Sequence, residues 1–479
     1  MPAKELECPC MRGREGRYDS TLLGLGVFLL YLAWPSRLHL FDGVACAVAV
    51  ELGDLRHLVH GNHLIYGVVG LVFHRFLGGL GVPLNALFSL QLMDSLLGAA
   101  GAGIFFSLLR RIGYDRKTSA FCSLGMSFSY AYWLWSLEAN VYLLGLVCLL
   151  LALRASLSDR PRPYHIAFWH GLAMLGHGAN ALFVLVPIAS LWARSPSPRE
   201  DTAKYLTTAA AFVLAAYTLS AMLWIRPDSS EGLKLWLLGS AALGEGRSLR
   251  WQGGFEGWNN LLDWIRTSGR VVSTMGALGA PVWLAALASP FLAGREQARA
   301  TLSGWLWLPA YLTLFLFWQP YNLIYRVTDA APLWLLAAPA VSLALSGAFT
   351  RVLAALFLAA VFAVNLGSVV MPNSRAENNP SLQKALWISS ATPEDAWVCA
   401  EENDEVYLPY FGRRHPLNLR YFKGREAALL ERVRAIQKDG SPVYLTSSAL
   451  RDWRQVFETI GLEEGSRRAD EVLYRVKEF

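Results

Sequence analysis

Charge is scarce in this chain. Only 17% of its 479 residues are Asp, Glu, Lys or Arg, against 54% hydrophobic residues, and the mean hydropathy is +0.32. That balance leaves more apolar surface than a water-soluble fold can bury, which excludes a soluble protein for most of the length. Patterned cysteine is also missing. Cys46, Cys122 and Cys148 stand in apolar surroundings, so no disulfide framework is read, and Cys8-Pro-Cys10 has no second thiol pair to complete a metal site. Lys4, Arg12, Arg14 and Arg17 precede the first apolar run, but no small-residue cleavage pattern follows Trp34 and Pro35, so that run reads as an uncleaved membrane helix. A net charge of +6 would suggest nucleic acid in a soluble protein; here the basic residues sit between apolar runs, where cytoplasmic loops need them, and no nucleic-acid partner is expected.

What is present is a series of apolar runs of membrane length. They cover 21–38, 86–109, 119–137, 141–157, 166–176, 180–192, 205–225, 271–293, 302–318, 331–348 and 352–370. With residues 1–20 taken as a cytoplasmic segment, every short connection assigned inside is basic: Arg110-Arg111 with Arg116-Lys117, Arg154 with Arg160 and Arg162, Arg194 with Arg199 and Lys204, and Arg295 with Arg299. The short outer turns at Glu138-Ala-Asn140 and near His177 carry no Lys or Arg. Two outer loops are long. The first, 35–85, contains an apolar but charged stretch from Tyr66 to Leu80 suited to the membrane surface. The second, 226–270, carries Trp236, Trp251, Trp258 and Trp264, which suit the interface.

After Pro372 the composition becomes that of a soluble domain, with short strands at 397–400, 417–421, 443–446 and 472–476 separated by helical stretches at 425–438 and 450–460. This C-terminal domain, 372–479, shows no Gly-rich phosphate loop or metal-ligand cluster and reads as a docking or recognition module. The fold class is therefore mainly α. It is a polytopic transmembrane bundle of about eleven helices spanning 21–371, with a small C-terminal α/β domain outside the membrane. An odd number of crossings sets that domain on the extracytoplasmic side.

Ionisable groups near the membrane are expensive and invite a functional question. Asp42 follows the first membrane helix and stands either as the N-cap of a helix over Gly43–Leu52 or as a site carboxylate. Glu138 faces the same compartment. In the first outer loop, His60 and His63 lie at i and i+3 with Tyr66 beyond them. A zinc site there needs another ligand, for which Asp54 is the nearest acid. His177 sits between Gly176 and Gly178 at an outer turn. Arg326, in Gln319-Pro-Tyr-Asn-Leu-Ile-Tyr-Arg-Val-Thr-Asp329, offers a forked donor to a phosphate, or serves as an interfacial anchor or a partner of Asp329. Asp94 lies inside the second run and lines the bundle interior, while Gly98 to Gly103 reads as close helix packing.

Phe41-Asp-Gly43 with Glu51-Leu-Gly53, His60-Gly-Asn-His-Leu-Ile-Tyr66, Trp135-Ser-Leu-Glu-Ala-Asn-Val-Tyr142 and the Gly171 to Asn180 stretch occur in that order. Together they resemble the GT-C class of polytopic glycosyltransferases, and within it the protein O-mannosyltransferase-like family. The prolines of the family's His-Pro-Pro-Gly-Tyr-Pro stretch are absent here, and Val44, Ala45 and Cys46 stand where it carries a further acid. The resemblance implies a membrane glycosyltransferase that moves a sugar from a polyprenyl-phosphate donor to a glycan, lipid or protein acceptor at the outer face of the bilayer. In that scheme Asp42 is the general base and Glu138 a second catalytic carboxylate. His60, His63, Tyr66, His177 and Arg326 bind substrate. No cofactor is fixed, and a divalent metal is left open. The competing reading is a transporter or flippase of an envelope precursor. Against it, the sequence has no internal repeat and its polar candidates gather at the outer face.

Overall fold

The computed structural model describes residues 9–238, 254–401, 404–458 and 460–478; Lys4, Cys8 and Trp251 lie outside them. The chain is an integral membrane protein. Among the described residues five helices are long and apolar enough to cross a membrane: Ala86–Arg111, Pro198–Ile225, Ala298–Phe317, Ile324–Ser346 and Ala348–Asn373. Shorter apolar helices are Tyr18–Leu32, Tyr142–Ser156, Gly178–Arg194 and Gly276–Leu292. The run expected over 119–137 is two helices, Arg116–Phe128 and Tyr130–Leu137, parted at Ser129, whose backbone is extended (φ −60°, ψ 137°). The run expected over 180–192 opens with a 3-10 turn, Gly178–Val184, before its α-helix, Leu185–Arg194.

The chain divides into two compact units, one of Met1–Ser36 and Ala49–Pro372, the other of Arg37–Val48 and Asn373–Phe479. In the first, small residues set a close helix crossing. A Cβ on Gly103 would stand 2.8 Å from the Ser20 carbonyl oxygen and one on Gly24 3.2 Å from that of Ala99, so helices Pro9–Leu32 and Ala86–Arg111 meet backbone to backbone. Gly98 and Gly101 make room instead for the side chains of Ser136 and Tyr132, and the Tyr132 hydroxyl donates to the Gly98 carbonyl at 2.7 Å. The Gly98 to Gly103 run is thus a packing surface. Asn85 and Asp115 cap their helices by accepting from the N–H groups of Phe88 (2.9 Å) and Thr118 (2.7 Å).

The connections read as basic and co-facial gather at one end of this unit. Arg111, Asp159, Arg194 and Arg299 line a common pocket of about 220 Å³, with Arg194 Nη1 2.5 Å from Asp159 Oδ1. The first long loop holds the helices Phe41–Leu52, Leu55–Leu58 and Tyr66–Gly79, and the second holds Ser230–Leu238 and Gly254–Arg270. Trp236 and Trp264 donate their indole N–H groups to the carbonyls of Val59 (3.0 Å) and Leu312 (2.8 Å), while Trp258 is exposed.

The second unit is built on a five-stranded sheet: β1 (Trp397–Ala400), β2 (His415–Asn418), β3 (Val443–Thr446), β4 (Leu462–Arg468) and β5 (Glu471–Val476), in the order β2-β1-β3-β5-β4. The first three are parallel; β5 runs antiparallel to β3 and β4. Helix Glu426–Lys438 carries the chain from β2 across to β3, burying Leu429, Val433 and Ile436 against Cys399, Leu417 and Leu445. The sequence reading missed β4, whose pattern is polar because one edge strand of a mixed sheet faces water. Segment Arg37–Val48 belongs here because its backbone is bonded here. Arg37 N–H donates to the Asn373 carbonyl at 2.6 Å, Asn379 Nδ2 donates to the carbonyls of Arg37 (2.9 Å) and Leu38 (2.7 Å), and the Tyr407 hydroxyl donates to that of His39.

Candidate active site

Within the first unit, Glu138 ends the short helix Tyr130–Leu137, where the backbone turns extended (φ −104°, ψ 150°). It is fully buried, and its Oε1 accepts from the Ser36 hydroxyl. Gln91 holds Ser36 in turn, donating from Nε2 to its carbonyl at 3.0 Å. One turn along the same membrane helix is Asp94, also fully buried. Its Oδ2 accepts the Tyr66 hydroxyl at 2.6 Å and the Asn140 N–H at 2.8 Å, and its Oδ1 carries no hydrogen bond. Two buried carboxylates, a tyrosine and the Glu138–Asn140 segment therefore form one polar network, the arrangement that a low-dielectric site needs to keep such groups inside.

The chain then turns into helix Tyr142–Ser156, whose first N–H is met by Asn140 Oδ1 at 2.8 Å. The Tyr142 ring lies 4.6 Å from His177 and 5.6 Å from Tyr325, the latter edge-on. His177 occupies an extended link (φ −162°) between helix Pro163–Gly176 and its 3-10 turn, and its Nδ1 accepts from the Ala179 N–H at 3.2 Å. The His60–His63 turn docks beside it, for the Gly178 N–H donates to the Asn62 carbonyl at 3.0 Å. His60 and His63 themselves stack with ring centroids 4.3 Å apart. Burial, with His60 alongside, lowers His177 to about 4, and burial, with both other histidines nearby, lowers His63 to about 3. Both rings are neutral at pH 7 and can accept as well as donate hydrogen bonds.

Arg326 closes the group from the other side. It ends the 3-10 turn Ile324–Arg326 and is completely buried. Its Nε pairs with Asp329, its Nη2 donates to the Ser268 hydroxyl at 2.8 Å, its guanidinium lies 5.8 Å from the Phe315 ring centre, and Nη1 has no hydrogen-bond partner. Tyr325 stacks on Phe315 at 5.7 Å, which continues the aromatic line from His177 through Tyr142.

Six of the seven residues singled out in the sequence, Glu138, His60, His63, Tyr66, His177 and Arg326, thus belong to one unit and are linked through Asp94, Asn140, Tyr142 and Tyr325. The seventh, Asp42, belongs to the second unit. It is exposed, and its helix begins one residue earlier, at Phe41, so Asp42 sits in the first turn and not at the cap. Asp54 caps Leu55–Leu58 through the Arg56 N–H (3.0 Å) and lies 3.3 Å from His57, so it adds nothing to the His60–His63 pair. Among the described residues no group of three or more His, Cys, Asp or Glu side chains is arranged to hold a metal ion. Asn140, Tyr142 and Tyr325 fall inside stretches singled out in the sequence but carry no site role of their own there, and the structure makes them links of the network. For Asn140 and Tyr142, a position within four residues of Glu138 was the available signal.

No family model and no curated protein matches this sequence. Solved structures do. ArnT from Cupriavidus metallidurans bound to undecaprenyl phosphate matches with a TM-score of 0.62 at 15% identity, covering 96% of this chain and 97% of that one. The apo state of the same protein matches with a TM-score of 0.48 at 14% identity, over 95% and 98% of the two chains. The undecaprenyl-phosphate-bound structure shows that the chain shares its fold with ArnT along nearly the whole of both chains.

Proposed function

We propose that this protein is a membrane glycosyltransferase of the GT-C class that takes its sugar from a polyprenyl-phosphate donor. The observation that carries the reading is the gathering of Glu138, Tyr66, His177, His63 and Arg326 into one network, on a fold shared with a protein whose structure holds undecaprenyl phosphate. The network joins the start of helix Tyr142–Ser156, whose other end leads to the basic pocket. Taking that basic end as cytoplasmic puts the network at headgroup level on the extracytoplasmic side, where the reactive bond of a lipid-linked sugar lies. The N-terminus is then cytoplasmic and domain 372–479 extracytoplasmic. The motifs around Asp42 and Trp135 favour the protein O-mannosyltransferase-like branch, with a mannose-type donor.

The reaction in this reading is an inverting displacement. Asp42 takes the proton of an acceptor hydroxyl; the oxygen bonds to the anomeric carbon, and the bond from that carbon to the lipid phosphate breaks, its electron pair leaving with the phosphate. Glu138 assists as a second carboxylate, and His60, His63 and Tyr66 hold the sugar and acceptor. His177 and Arg326 meet the charge that grows on the departing phosphate. For Arg326 the group offered is Nη1, the guanidinium nitrogen without a partner.

The test is transfer of radiolabelled sugar from a panel of polyprenyl-phosphate sugars in membranes carrying wild type, Asp42→Asn or Glu138→Gln. The expected result is transfer by wild type, its loss in Asp42→Asn with donor binding kept, and a lower rate in Glu138→Gln. Absence of transfer from every donor by folded wild type overturns the reading in favour of a transporter.

A further inference from the structure

The second unit contains a groove that the reaction above does not use. It opens at the carboxyl ends of the three parallel strands: Glu401 follows β1, Arg420 follows β2, and Ser447 and Ser448 follow β3. From β1 the chain leaves toward β2 on one side, and from β3 helix Ser447–Phe457 leads toward β4 and β5 on the other. The connections part between β1 and β3, which is where open α/β sheets bind ligands. The groove measures about 1740 Å³, well above the roughly 300–1,000 Å³ of a pocket for one small molecule, so it suits an extended ligand.

One wall carries a cluster of paired charges. Lys384 Nζ lies 2.8 Å from Asp404 Oδ2 and 3.5 Å from Glu471 Oε1, and the Ser448 hydroxyl donates to Glu471 Oε1 at 2.6 Å. Around this cluster the lining alternates in sign, with Arg420, Lys423 and Arg451 among Glu401, Asp452 and Asp470, and it includes two indoles, Trp387 and Trp453. A polyanion would meet the carboxylates, and an apolar chain would strip water from charges of both signs. A sugar fits both features. Each hydroxyl donates and accepts at once, which calls for guanidinium donors beside carboxylate acceptors, and the C–H face of a pyranose packs on an indole.

We propose that this groove is a carbohydrate-binding site for an oligosaccharide, the glycan portion of the acceptor. The acceptor role rests on the glycosyltransferase reading; the sugar binding does not.

The experiment uses the full-length protein in detergent and a panel of neutral, amino and acidic oligosaccharides of a few residues each, with inorganic phosphate as the control, measured by saturation-transfer NMR and titration. Wild type is expected to bind at least one oligosaccharide and to ignore phosphate. Arg420→Ala and the double variant Arg451→Ala with Asp452→Ala change exposed side chains, so they should unfold at the wild-type temperature and bind about tenfold more weakly. Failure of folded wild type to bind any oligosaccharide, binding unaltered in both variants, or saturation by phosphate in place of sugar overturns the proposal. Transfer measured on the same preparation separates the two readings. Sugar binding without transfer from any lipid donor sinks the enzyme and keeps the groove; transfer without sugar binding does the reverse.

Discussion

The buried Tyr66 hydroxyl donates to Asp94 Oδ2 at 2.6 Å, and that same oxygen accepts the Asn140 N–H at 2.8 Å. Through one carboxylate oxygen, a helix of the first long loop, a membrane helix and the segment after Glu138 are fixed to each other. Tyr66→Phe removes one donor from a buried acid and should cost about 1–3 kcal/mol. Asp94→Leu should cost more, since it strands both the phenol and the amide. Thermal unfolding of the purified protein measures both, and an unchanged Tyr66→Phe melting temperature would remove the contact from the argument.

Arg326 and Asp329 are both completely inaccessible to solvent and bonded to each other. Arg326→Ala leaves a carboxylate buried alone and should destabilise the protein by about 3–5 kcal/mol, whereas Arg326→Met with Asp329→Leu, which removes both charges, should recover most of that. Transfer by the double variant then separates the two roles of the guanidinium. A folded but inactive enzyme assigns Nη1 to the phosphate; a folded and active one reduces Arg326 to a structural partner.

His63 and His177 are held neutral in the folded protein down to about 3 and about 4, while in the unfolded chain each takes its proton near 6.5. Between those values the unfolded state binds more protons. Stability therefore falls as pH drops from about 6.5 toward 4 and is flat above 7 as far as these rings are concerned. The melting temperature should decline between pH 7 and 5, and His177→Asn should flatten part of that slope. A slope identical to wild type in the variant would show that other groups carry it.

A Cβ on Gly101 would stand 2.3 Å from the Tyr132 hydroxyl, which is itself engaged with the Gly98 carbonyl. Gly101→Leu should push Tyr132 aside and lower stability by about 1–3 kcal/mol or more, with loss of folded protein on extraction. A wild-type yield and melting temperature would mean that the helices have room to part.

The membrane character, the packing role of Gly98 to Gly103 and the common face of the basic loops were legible in the sequence, since each depends on composition or on periodicity along one segment. So were three strands of the C-terminal sheet, read at 397–400, 443–446 and 472–476, where β-branched and aromatic residues cluster, while the strand read at 417–421 lies at His415–Asn418 and gives way to the 3-10 turn Leu419–Phe422. The polar strand Leu462–Arg468 was not, because it is held by pairing with β5 and not by its own apolar face.

The sequence by itself determined that this chain lives in a bilayer, because hydropathy is a sum over local residues, and it singled out the ionisable groups that a membrane makes costly. Only the tertiary structure decided which of them meet. Asp94 to Tyr66 spans 28 positions and Tyr142 to Tyr325 many more, and such contacts follow from how helices cross, which no local pattern encodes. It also assigned Asp42 to the unit of the C-terminal sheet, through the Arg37 N–H bonded to the Asn373 carbonyl and through Asn379 and Tyr407 side chains donating to the carbonyls of Arg37 and His39, contacts between residues more than three hundred positions apart.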